Sequence, residues 1–224
     1  MKTLPRCFSE IFMEGRFGGS PSFCEGGAPT SPMNYEERTF EALRLTGAEF
    51  AGLEISDCEF KNCAFEELAL TDCVFRSCRF IGCRIAAPRT ERTELKHCEF
   101  ERCQLAGVHW KDVTAYDGVA APFDSLRACC LKYCSFAEMR LNRSDFCGNE
   151  LIECMFEGCK LGAAKFGGCD LTRTAFAGCD LRKADFRRAR GYQVQLRSNL
   201  LKAARFSLPE ALRLLEELEI RIDG

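Results

Sequence analysis

The side chains best suited to chemistry in this 224-residue chain are its 17 cysteines and its two histidines, His97 and His109. Thiols and imidazoles suggest zinc, disulfides or a nucleophile, and the spacing argues against each. Structural zinc sites pair thiolates two residues apart in a tight hairpin, whereas these cysteines recur at intervals of five and multiples of five. Disulfide scaffolds are short and secreted, and an odd count leaves one thiol over. Cys58, Cys78 and Cys98 would stack within bonding reach if residues 20 apart were neighbours, but a reducing compartment keeps such thiols free. No Ser-His-Asp or Cys-His arrangement and no phosphate-binding loop is present. The sequence predicts no enzyme, cofactor, metal or small-molecule substrate.

The spacing belongs instead to a repeat. Large apolar residues recur every fifth position from Phe40 through Leu45, Phe50, Ile55 and Phe60 to Ile85, and again from Leu95 to Trp110. The series restarts one residue out of phase at Leu126 and runs through Phe146, Phe166 and Phe186 to Phe206, with breaks at Thr90 and Gly191. Thirteen of the cysteines sit two residues before a large one, where Ala48, Ala164, Ala184 and Ala204 also occur. They read as small core plugs. Every twentieth residue repeats more closely still, as in Phe40, Phe60, Phe80 and Phe100. Period five fits neither helix nor strand. Four units per turn, with like stacked on like, describe an all-β solenoid. About eight coils at ~4.8 Å each give a rod roughly 40 Å long.

Units such as GCDLTRT, GCDLRKA, KADFRRA and RSDFCGN resemble the pentapeptide-repeat family, whose motif is A-[D/N]-L-x-x. The resemblance covers residues 38–208 and implies a right-handed quadrilateral β-helix. The C-terminal segment ARFSLPEALRLLEELEIRIDG is similar to that of the Qnr and MfpA-like members. Those members are dimers that mimic duplex DNA, bind DNA gyrase and topoisomerase IV, and blunt quinolones.

Three segments depart from the repeat. Residues 1–35, rich in Gly, Ser and Pro, are expected to be a flexible extension before a rod spanning 36–206. Residues 86–94 keep the register without a large central residue, which suggests a slight bulge or a short loop. Residues 111–125 lose the register and are expected to leave the rod as a loop, in which Lys111, Asp112, Tyr116, Asp117 and Phe123 are candidate partner contacts. Counted from Phe100 the insertion is six residues, and counted from Leu95 it is 11. Residues 207–224 begin with a capping-box pattern, Ser207 to Glu210. A helix carrying Leu212, Leu215 and Leu218 and a short strand with Ile220 and Ile222 should follow. These residues suit a cap or a two-fold dimer interface, and the resemblance implies the homodimer.

Charge is nearly balanced, 31 Lys+Arg against 33 Asp+Glu, so direct nucleic-acid binding is not expected. No apolar run reaches a membrane span, and a soluble, cytoplasmic protein is expected. Residues 36–72 carry ten acids against three bases, among them Glu49, Glu54, Asp57, Glu59, Glu66 and Glu67. Over ~9 Å of rod this matches the roughly five charges of duplex DNA. Residues 111–189 carry 12 bases and 11 acids, near neutrality where mimicry would need acid. The expected function is therefore a non-enzymatic, Qnr-like topoisomerase binder. The alternative is an interaction scaffold or immunity protein with another protein partner.

Overall fold

The computed structural model describes residues 33–114 and 121–216. There the period of five becomes a succession of short strands, each paired in parallel with its counterpart in the next coil. Phe60 lies between Phe40 and Phe80, and Phe100 between Phe80 and Leu126. Four such stacks, named here for Phe40, Leu45, Phe50 and Ile55, enclose a solenoid of about eight coils. The rod starts earlier than expected: Met33–Glu36 pairs with Leu53–Ser56. Residues 1–32 lie outside the described part.

Each corner is turned by the residue two past the central one, which takes a left-handed φ, +52° at Asp57 and +53° at Asn62. Short polar side chains tolerate that conformation. The bend keeps the ladder intact, since the Asp57 N–H still reaches Arg76 O at 2.9 Å. Inside, rings stack along a face and meet edge-on between faces. Phe136 and Phe156 are 4.3 Å apart at 1°, while Phe156 and Phe166 are 5.8 Å apart at 83°. Both are favourable ring geometries.

The cysteine column has a specific task. Cys83 donates to Phe60 O at 3.2 Å, Cys103 to Phe80 O at 3.2 Å and Cys169 to Phe146 O at 2.9 Å. Thr93, Thr174, Asn149 and Asn199 replace cysteine in this column and make the same bond to Leu70, Leu151, Leu126 and Phe176. Ala164 and Ala184 sit in tight turns, their N–H groups donating to Leu161 O and Leu181 O at 3.0 Å, and Cys169 sits in a turn of the same kind, its N–H on Phe166 O at 3.1 Å. The cysteine, threonine and asparagine plugs thus supply donors to buried carbonyls, which are costly to leave without a partner. All fifteen cysteines among the described residues are free thiols. Burial pushes the Cys58 and Cys73 thiols up, and Cys169 to about 12.

Several expectations need correction. Residues 86–94 neither bulge nor loop, because Arg89–Glu91 pairs in register with Ala69–Thr71. An apolar cavity of about 100 Å³ lies in these coils, with Thr90 and Trp110 in its wall. The insertion is the six-residue one, with Leu105 opposite Leu131 and Phe100 opposite Leu126. Its flanks belong to the rod. Trp110–Val113 forms a 3-10 turn, and Phe123–Arg127 is a strand. Near the end, Gly191 (φ +74°) lies so close to Thr172 that a Cβ would come 2.7 Å from its Cα. The chain tightens here, Val194 pairs with Phe176, and Tyr192 enters the core. Val194 thus holds the position expected for Leu196, which is half-buried.

Candidate interaction surface

The plug and central residues point inward, so the residues flanking each centre and those at the corners form the outside. No group of three or more His, Cys, Asp or Glu able to hold a metal occurs among the described residues. Nor is any described helix long and apolar enough to cross a membrane. The outer surface consists of side-chain columns with a ~4.8 Å rise.

On the Phe40 face one column alternates in sign. Arg79 lies between Glu59 (3.1 Å) and Glu99 (3.5 Å), and Lys165 bonds Asp145 at 3.2 Å. Such ladders favour the native register by opposing unlike charges across strands. The turn aspartates are bound twice. Asp185 accepts the Arg187 N–H at 3.0 Å and also its guanidinium, which holds its carboxyl down at about 2. Asp180 takes Arg182 in the same way and is likewise lowered.

The six candidate carboxylates do not share a face. Glu59 is on the Phe40 face, pairing with Lys61 and Arg79, and Glu66 is on the Leu45 face, pairing with Arg84. Glu49 belongs to the Phe50 face, and Glu67 turns the corner next to Glu66, at the end of the Leu45 face. Glu54 and Asp57 lie together on the Ile55 side, with Glu36 and Glu37 in the coil before them. Among the loop candidates, Lys111 is tied to Glu138, and Asp112 is exposed. Phe123 is buried, edge-on to Trp110 at 4.9 Å, so it is core and offers no contact. Tyr116 and Asp117 lie outside the described residues.

Sorting charge by face uncovers something the count along the chain conceals. From residue 140 to 205 the Ile55 and Phe40 faces carry ten exposed cations against three aspartates. Lys165 and Arg205 pair with aspartates of the preceding coil, and Arg182 and Arg187 pair with Asp180 and Asp185 of their own coil. Arg140, Arg143, Lys160, Lys183, Arg188 and Lys202 make no ion pair among the described residues. The 20-residue column was the available signal: Arg140 bridges Lys160, which bridges Asp180.

The C-terminal segment caps the rod by a route other than the expected box. Ser207 Oγ accepts the Arg188 N–H at 3.1 Å, and Glu210 Oε1 accepts the Gly191 N–H at 2.7 Å. Both side chains satisfy the last coil rather than their own helix. Glu210–Leu212 is a 3-10 turn and Arg213–Glu216 one helical turn. Leu214 packs on the core, Leu215 is half-buried and Leu212 is exposed. Leu218, Ile220 and Ile222 lie outside the described residues.

Two family models match this architecture: a pentapeptide repeat region over residues 53–146, and pentapeptide repeats in copies over 129–168, 154–190 and 169–198. The chain is a pentapeptide-repeat protein. A search of curated proteins finds no match. Solved structures similar to this pentapeptide-repeat protein include full-length QnrB1, a plasmid-mediated fluoroquinolone resistance protein. It is 18% identical, with 81% of this chain and 100% of that one covered and a TM-score of 0.37. A trypsin-treated QnrB1 is 20% identical over 87% and 92% of the two chains, at 0.30. HetL, involved in heterocyst differentiation regulation in the cyanobacterium Nostoc sp. strain PCC 7120, is 16% identical over 78% and 89%, at 0.33.

Proposed function

We propose that this pentapeptide-repeat protein is a non-enzymatic binding rod, and that its partner is a type II topoisomerase, DNA gyrase or topoisomerase IV. One observation carries the reading. At the N-terminal end of the Ile55 face, Glu36, Glu37, Glu54 and Asp57 crowd two adjacent coils, and no cation is joined to them among the described residues. A cluster of that density suits the basic surface on which an enzyme holds duplex DNA. The resemblance of the repeat and C-terminus to gyrase-binding members supplies the name of the partner.

The scatter of Glu49, Glu59, Glu66 and Glu67 over other faces favours a second reading, a scaffold or immunity protein for a different protein partner. A supercoiling assay with purified gyrase, with and without ciprofloxacin, separates the two. The topoisomerase reading expects the protein to alter the drug's effect, and the variant E36Q/E37Q/E54Q/D57N to lose most of that effect. No change with the wild-type rod leaves the scaffold reading in its place.

We further propose a homodimer through the C-terminal segment, on the strength of exposed Leu212 beside half-buried Leu215. Light scattering should give twice the chain mass, and Leu212→Glu should halve it. A wild-type monomer at tens of micromolar overturns the dimer.

A further inference from the structure

We infer that the C-terminal half of the rod carries a second surface, opposite in sign to the acidic one, that docks the phosphate backbone of duplex nucleic acid. It lies where the Ile55 and Phe40 faces meet, between residues 140 and 205, and is independent of the topoisomerase reading. The expectation from the charge count was the reverse, because 111–189 are nearly neutral in total.

The first support is sorting. The two faces hold seven cations in excess of aspartates over three coil steps, ~14 Å of rod. A duplex carries about one charge per 1.7 Å, or roughly eight over that length. The second is availability. The three aspartates are held by neighbouring cations, Asp180 and Asp185 by Arg182 and Arg187 of their own turns and Asp145 by Lys165 of the next coil. Arg140, Arg143, Lys183, Arg188 and Lys202 remain exposed and without an ion pair among the described residues, and Lys160 is exposed too, although its charge helps to lower Asp180. The third is shape. Gly162, Ala163, Gly167 and Gly168 lie between the cations, so a backbone can approach closely.

Charge alone would also suit an acidic protein, and the apolar content decides between them. Protein interfaces are anchored by buried aromatic or aliphatic side chains. Of the exposed large hydrophobic residues, Tyr133 and Met155 lie off these two faces, and Leu200, Leu208 and Leu212 stand at or beyond their last coil, none of them central to the cations. A surface of cations and glycines with no central anchor fits a phosphate backbone, read without base contacts. The acidic coils do not cancel it. Glu54 and Asp57 precede Arg140 by four coils, ~20 Å, and screening at 0.1 M salt acts over about 10 Å.

The test is fluorescence anisotropy of the full chain with a labelled 20-base-pair duplex of arbitrary sequence. Binding should weaken about a hundredfold between 50 and 200 mM salt if four phosphate contacts form. The variant R140Q/R143Q/K160Q/K183Q should lose at least tenfold in affinity and most of the salt slope, about one unit per contact. R44Q/R89Q, which alters cations on the other two faces, should bind like the wild type. Equal melting temperatures for the three proteins would exclude misfolding as the cause. No duplex binding at 50 mM salt overturns the inference, as does binding that the fourfold variant leaves unchanged. Competition by polyglutamate as effective as by unlabelled duplex also overturns it, in favour of an acidic protein partner.

Discussion

Asn149 fills two gaps in the preceding coil, accepting the Cys129 N–H through Oδ1 at 2.8 Å and donating through Nδ2 to Leu126 O at 2.9 Å. Asn149→Ala orphans both buried groups and should cost about 2–4 kcal/mol. Asn149→Cys restores the donor used elsewhere in the column and should recover roughly half of that loss. Urea midpoints for the two variants check the ranking. Equal losses would contradict the donor rule.

The thiols should divide by exposure. Cys147 is exposed and Cys130 half-buried, while the other thirteen described cysteines are buried. In native protein an aromatic disulfide reagent should reach Cys147 first, Cys130 more slowly and the column only on unfolding. Unfolded without reductant, the chain should show nearly all of its 17 thiols. A count of about half would mean that the stacked cysteines are oxidised.

The cap can be loosened locally. Glu210→Ala removes the acceptor from the Gly191 N–H and should speed its amide exchange about fivefold, equivalent to ~1 kcal/mol. The Phe156 amide, in a central coil, should be unaffected. Equal acceleration at both amides would mean that the cap governs the whole rod.

Stability should fall in acid through the turn aspartates. Arg187 depresses the Asp185 carboxyl to about 2 in the folded state, against ~3.9 unfolded. Its stabilising contribution is therefore complete above pH 4 and is lost as pH falls toward 2. Arg187 is solvent-exposed, so the effect is a few tenths of a kcal/mol. Asp185→Asn should lessen the fall in stability between pH 4 and 2 by that amount, and an unchanged fall would place the acid sensitivity in other lowered aspartates, such as Asp145, Asp170 and Asp180.

Period five, the coil of 20 and the stacking of Phe40 on Phe60 were legible in the sequence because a solenoid repeats its environment at a fixed interval. Like residues then recur at like positions, and burial follows from spacing alone. Where the interval broke, spacing no longer indicated burial. Phe123 resembles a loop contact in the sequence, yet it packs on Trp110 in the core. Ser207 and Glu210 have the spacing of a helix cap, yet they bond the preceding coil, because the nearest unpaired amides are there. The bond that a cysteine plug makes to a carbonyl 23 residues earlier was also hidden, since only the winding of the coil brings that carbonyl within reach. Net charge along the chain determined only an average. Which cations stand together was decided by the winding of the coil, which brings Arg140, Lys160 and Asp180 side by side although 20 residues separate each from the next.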